Sequence, residues 1–544
     1  MSGPFGDQPA NQWQQPPITE VTSPDGQWEP AGQWEPTWPT VLDGVQPGPQ
    51  FGYYPPAPVS PPTPPERGRR RWMLASLMSL LLLLIGGGGI ASYQVLNGGG
   101  TQPDEVIPAS AVAFAKLDLN PSASQKIAAA RLLNRIPKLG GFSGSGDWRE
   151  AMFRSLSDNG SLPAGVQFDR DIKPWLGKRL AVALLPTLAD GAPEVLVAAQ
   201  TTDEAQARVG IARFGTDYGV SFYRGYAVIA RSQQVADEAV SSAKVASLAS
   251  ARNYVSDMQQ VGSLGVASGW VDLTAAGKLS GSTSSGVLAV GGGGRLAFTT
   301  RFAGNNVDLV IKMFGTSPSA GSATALPDIG ALPASTAIGA AFSNAGSKVD
   351  QQWQGFLRQL SAQQVAGGPS PSDMIDSLQR ESGISLPGDL VTLLGSELTL
   401  SVDADGLDAG NPKVAIRTKT DGPAAVRVLD KISRTLHLHH LDFPLFYGPT
   451  SDGLIAASDQ QYLASLGSPS GPRLSGVAGF RAALPELAGA SAAAFVNFDA
   501  ITAALRSNGA NPGDLTVLSS LSALGMTVHS SGAVSTISIR LVMH

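Results

Sequence analysis

The chain contains five histidines and no cysteine, so thiol nucleophiles and Cys-based metal sites are excluded. Three of the histidines stand together as His437, His439 and His440. Strand alternation would put His437 and His439 on one face, where two imidazoles could ligate a metal. No carboxylate frame accompanies them, and the corresponding stretch earlier in the chain, near 214–219, has no histidine. A partly exposed strand or helix end is the preferred reading. Asp171 and Asp389 recur at an offset of 218 residues, each just before a Leu-Gly pair. They could form a shared ligand site; more simply, each could cap a short helix. Asp403, Asp405 and Asp408 superficially suggest calcium. Gly406 comes too early for an EF-hand and no Glu closes the loop, so acidic turn residues are the default.

Nucleophile motifs are equally thin. Ser241-Ser242-Ala243-Lys244 satisfies S-x-x-K but has no K-T-G partner, and no G-x-S-x-G elbow occurs. Gly291 to Gly294 lack the strand-before, helix-after context of a dinucleotide loop and read as a turn into a strand at 296–300. These observations predict no enzyme, no catalytic residue, no metal and no cofactor, with a single site at an interface left open.

The elements that would position any such residues are written twice. Ile107-Pro108-Ala109-Ser110 returns as Leu332-Pro333-Ala334-Ser335, and Trp175-Leu176-Gly177 as Leu393-Leu394-Gly395. The stretches 194–202 and 412–420 match, as do 226–231 and 453–458, and Gly269-Trp270-Val271-Asp272-Leu273 corresponds to Ala494-Phe495-Val496-Asn497-Phe498. The order is conserved and the offsets stay between 218 and 228, which predicts a duplication. Polar positions are not kept: Asp118 falls on Ser343, Asp272 on Asn497 and Arg179 on Glu397. Alternating strands joined by short turns at Asp190-Gly191, Arg224-Gly225 and Asn305-Asn306 favour antiparallel sheet with helices on one face over a doubly wound parallel sheet. The fold class expected is α+β: two tandem duplicated units of antiparallel sheet with helices, over 104–318 and 319–544, with a groove between them.

Ahead of these units lies an address. Arg67, Arg69, Arg70 and Arg71 form a basic stop cluster at 67–71, directly followed by an apolar run at 72–96. As a helix that run is about 36 Å long, enough to span a hydrocarbon core. Its distance from residue 1 and its length argue for a retained transmembrane helix over a cleaved signal peptide, and the arginines predict a cytoplasmic N-terminus. The tail at 1–66 has no Lys or Arg, seven acidic residues and 17 of the 39 prolines. Such composition predicts disorder with polyproline II character. It could be a docking segment, with Trp13, Trp28, Trp34 and Trp38 as anchors, or a spacer. A linker at 97–103 leads to the outer region, whose 34 basic and 36 acidic residues give no electrostatic case for nucleic acid.

The proline-rich tail, the single span, Pro108-Ala109-Ser110 leading to Leu117-Asp118-Leu119-Asn120-Pro121, and the stretch 175–185 together resemble an actinobacterial membrane-anchored family known as domain of unknown function 3352. The resemblance would cover roughly 104–544 and implies topology and fold, without site residues. The expected function is a single-pass cell-membrane protein with its C-terminal region outside. It would be a non-enzymatic envelope interaction or scaffold protein. The alternative is a carrier of a lipid or other apolar ligand in a groove between sheet and helices, and an extracellular hydrolase ranks last. Its partners would be the membrane, an envelope protein or lipid through the outer domain, and a cytoplasmic protein through the tail.

Overall fold

The computed structural model describes residues 100–134, 147–158, 162–163, 165–186, 193–215, 218–279, 294–315, 325–362, 370–407, 412–438, 444–467, 471–507 and 509–544. Every described residue belongs to one compact unit. The expected tail, Arg67, Arg69, Arg70, Arg71 and the span at 72–96 therefore lie outside the described residues, as do Asp408, His439 and His440. Among the described residues no helix is long and apolar enough to cross a membrane.

Among the described residues sixteen strands form one sheet, antiparallel at each pairing described. The first half supplies β1 (Ala113–Asp118), β2 (Leu176–Leu185), β3 (Glu194–Thr201), β4 (Gly219–Tyr223), β5 (Tyr226–Ala230), β6 (Ala267–Asp272), β7 (Arg295–Ala303) and β8 (Asn306–Phe314). The second supplies β9 (Thr336–Ser343), β10 (Glu397–Asp403), β11 (Val414–Lys419), β12 (Phe446–Pro449), β13 (Gly453–Ala457), β14 (Ala492–Asn497), β15 (Leu521–Ser531) and β16 (Val534–Met543). Spatially the first half runs β4-β5-β3-β2-β1-β6-β7-β8, and the second runs β12-β13-β11-β10-β9-β14-β15-β16. The two orders agree position for position. An isolated bridge also recurs, Pro108 with Ser247 and Pro333 with Arg473.

The junction expected to hold a groove is instead a strand pair. β8 and β16 run antiparallel from Asn306–Val542 to Phe314–Val534. Each is the last strand of its half and would otherwise be a bare edge with unpaired backbone groups. Turn chemistry fixes the outer hairpin: Arg224 (φ 50°) and Gly225 (φ 79°) supply the two positive φ values that a two-residue connection between β4 and β5 requires.

Helices cover both faces of the first half, a difference from the single face expected. On one face Leu117, Leu180 and Val182 pack with Ala128 and Leu132 of the helix Ala123–Leu133, Trp148, and Ile211 of the helix Glu204–Ala212. On the other, Phe114, Ala181 and Leu196 pack with Val235 and Ala239 of the helix Gln233–Val245 and Tyr254 and Met258 of the helix Arg252–Val261. The reason is visible in the strands: β2 and β3 carry unbroken apolar runs, the pattern of strands buried on both sides. Tyr254 stands edge-on to Phe114 and Trp270, at centroid distances of 5.7 and 5.9 Å. In the second half Phe480 and Phe495 meet at 5.0 Å within the core of Ile329, Leu332 and Leu474. Each large apolar side chain buried this way contributes about 1.5–3 kcal/mol.

Candidate functional site: an apolar cleft in the second half

The period-2 geometry of strands places one row of side chains across each half of the sheet. In the first half the row is Ala115, Val182, Val197 and Ile229; in the second, Ala340, Leu400, Ile416 and Ala456. The first row is covered. Phe153 and Leu156 of the helix Trp148–Asp158, Trp175 and Phe214 close over it, leaving a cavity of about 160 Å³.

The second row is not covered in the same way. After β9 the chain enters the helices Ala345–Ala362 and Pro371–Ser382, which pack chiefly on the helices Gly388–Leu394 and Gly422–Leu438. Ile338 and Leu400 stay 43% and 39% exposed. The result is a cleft of about 430 Å³ lined by Ile338, Ala340, Leu400, Val402, Val414, Ile416 and Leu445, within the size range of small-molecule pockets.

Among the described residues no charged side chain lines this cleft, and its two hydroxyl residues are already engaged. Ser401 accepts the Tyr462 hydroxyl at 2.8 Å. Ser458 accepts the Val414 N–H at 2.9 Å and donates to the Pro412 carbonyl at 3.2 Å. Burial pushes the Tyr462 phenol up to about 12, so it remains a neutral donor. The described walls therefore offer dispersion and hydrophobic contact.

The residues singled out by sequence do not assemble into one place. Asp171 lies in the turn Phe168–Ile172, where one oxygen accepts the Gln167 N–H at 2.8 Å. Asp389 lies in the helix Gly388–Leu394 and accepts the Ser385 N–H at 2.7 Å. Both thus bond a backbone N–H four residues upstream; neither is the N-cap of its element, those positions being Gln167 and Pro387. Arg170 holds the Asp171 carboxyl down at about 2. Burial raises the Asp389 carboxyl, but the Lys431 ammonium at 2.7 Å and the Ser385 N–H bring it below the ordinary carboxylate value.

His437 sits in the last turn of the helix Gly422–Leu438. Among the described residues no three His, Asp or Glu side chains gather as metal ligands. Asp403 accepts the Ser335 hydroxyl at 2.7 Å and the Asp405 N–H at 2.9 Å, a turn-closing role. Lys244 of the S-x-x-K match lies over the Tyr223 ring at 5.5 Å. Gly294, at the end of the glycine run, leads into β7 and gives its N–H to Thr274 at 3.0 Å.

Sequence reasoning passed over two half-buried charged groups in the first half. Lys116 and Asp118 occupy alternate positions on the face of β1 that Phe114 fills with apolar bulk. Asp118 pairs across the ladder with Arg179. Burial lowers the Lys116 ammonium, with Asp104 opposing. Burial raises the Asp118 carboxyl, with the Asn120 N–H opposing. Tyr226, pushed up to about 12 by burial, donates to the Thr101 carbonyl at 2.9 Å. The legible signal was charge at inward positions of an alternating strand.

No curated protein matches the chain. A solved structure described as "Structure of crystal form I of TP0453" is 9% identical, covers 41% of this chain with 81% of its own, and superposes with a TM-score of 0.21. Residues 74–257 match the family described as "Protein of unknown function (DUF3352)", a stretch that begins inside the apolar run and ends in the helix Arg252–Val261. Over residues 74–257 the chain therefore carries the domain of unknown function 3352.

Proposed function

We propose that the region after residue 100 is a non-catalytic binding module whose second half holds an apolar, chain-shaped ligand such as a lipid. In this reading the module stands outside the membrane, tethered by a span at 72–96, and its two halves descend from one duplicated unit. The repeated strand order and the in-register sequence matches support the duplication. The cleft over Leu400 and Ile416 carries the functional reading: it is aliphatic, and its hydroxyls are internally bonded. Each methylene buried there would contribute about 0.8 kcal/mol, whereas a polar ligand would lose its hydrogen bonds to water without replacement.

A second reading, an envelope interaction scaffold, is favoured by a different observation. Phe356, Met374 and Leu378 on the two outlying helices are 48%, 60% and 45% exposed, the kind of apolar surface that partners cover.

Native mass spectrometry of the full chain, gently extracted from its own membrane, tests both. The lipid reading expects a discrete small-molecule adduct that Leu400→Arg removes while the thermal midpoint holds, because Leu400 is already partly exposed. A bare chain, or an adduct indifferent to Leu400→Arg, counts against it. A stoichiometric protein companion supports the scaffold.

A further inference from the structure

A second cavity, of about 580 Å³, lies in the first half, where β1 and β3 end and β2 begins, beside the helix Ala123–Leu133. Its lining is of a different kind from the apolar cleft: Asp118, Asn120, Gln125, Lys178, Arg179 and Gln200 contribute to it.

Gln125 is the telling residue. It is 4% exposed, and its Oε1 has no hydrogen-bond partner. A buried amide oxygen left in this state is costly and rare, and asks for a donor. Near it the ladder between β2 and β3 is broken: the register shifts between Leu176 and Leu180. Such bulges re-aim side chains. Gln200 folds over Gly177, where an added Cβ would come within 2.8 Å of it, and its Oε1 accepts the Lys178 N–H at 2.9 Å. That bond fixes the Gln200 amide and leaves its NH₂ as a donor at the cavity wall. One Asp118 oxygen is spent on the Asn120 N–H at 2.9 Å, which leaves the other as an acceptor.

The chemistry of this wall excludes simple ions. Among the described residues Asp118 is the one carboxylate lining it, and the charges of Arg179, Lys116 and Lys126 already bear on it. A hard cation would find too few oxygens. An anion would meet Lys178 and Arg179 but would also face the Asp118 carboxylate and the unpaired Gln125 oxygen, whose need for a donor it leaves unmet. A hydroxyl group meets both needs, because it donates and accepts at once.

We propose that this cavity binds a neutral saccharide, whose hydroxyls donate to Gln125 Oε1 and Asp118 and accept from the Gln200 amide. The site is separate from the apolar cleft and stands or falls independently of it.

The test uses the full chain in mild detergent, with cellobiose and maltose as probes, saturation-transfer NMR as readout and inorganic phosphate as the anionic control. Millimolar binding of at least one disaccharide is expected. Gln125→Leu should weaken it roughly tenfold or more while holding or raising the thermal midpoint, since it removes an unsatisfied buried amide at equal volume. Asp118→Asn, which keeps the shape, should weaken it as well, and Leu400→Arg should not. Absence of binding by both disaccharides, binding unchanged in Gln125→Leu, or binding of phosphate in place of sugar would each overturn the proposal.

Discussion

Asp171 shows how a recurring carboxylate can be structural. Its folded value of about 2 lies below its ordinary 3.8, first because Arg170 bonds it and next because the Gln167 N–H does. The unfolded chain therefore binds the extra proton across that window, so stability rises with pH through it and is lost as pH falls from 3.8 toward 2. Asp389 acts in the same direction. Asp171→Asn should flatten the acid limb of the unfolding profile in that window and leave the profile above pH 5 parallel to wild type. Fluorescence is a suitable readout, because the indole of Trp175 donates to the Asp171 carbonyl at 2.6 Å. An acid limb as steep as in wild type would count against the assignment.

At the scale of elements, the pairing of β8 with β16 rests on more than backbone. Asp308 stands opposite both Arg301 and Arg540 in the ladders, and Arg540 forks onto it, with Nη2 at 3.1 Å. Burial lowers the Arg301 guanidinium, with Asp308 opposing. Asp308→Ala would leave two cations facing each other across the seam. Arg540 is partly exposed, so water screens some of the loss. The expected destabilisation is about 1–3 kcal/mol, checked by urea unfolding. This seam was not legible in the sequence. The residues it joins are 232 positions apart, and hydrophobic period reports only which face of a strand is buried, never which strand lies beside it. What period and turn residues do encode came through: the hairpin at Arg224-Gly225 and the strands within 226–231 and 453–458. Helices on both faces were not anticipated, although the unbroken apolar runs in β2 and β3 carry that signal. The polar cavity stayed hidden because a register shift and an unpaired amide leave no pattern in composition.

For the whole molecule, the sheet is continuous only because both halves end in it. A chain restricted to residues 319–544 would present β16, with Ile537, Ile539 and Leu541, as a long bare edge. That fragment should associate as its concentration rises, most simply by pairing β16 with a second copy. Size-exclusion chromatography with light scattering measures this, and a monomer at every concentration would show that the seam is dispensable. The same feature sets a clock on biosynthesis. β16 is the last of the described strands to be made, yet it lies in the middle of the sheet. At about 5–20 residues per second, the interval between β8 leaving the ribosome and its partner arriving is roughly ten to fifty seconds. Throughout that interval the nascent chain carries an open template for misassociation, and the ten residues of β16 decide whether it is withdrawn.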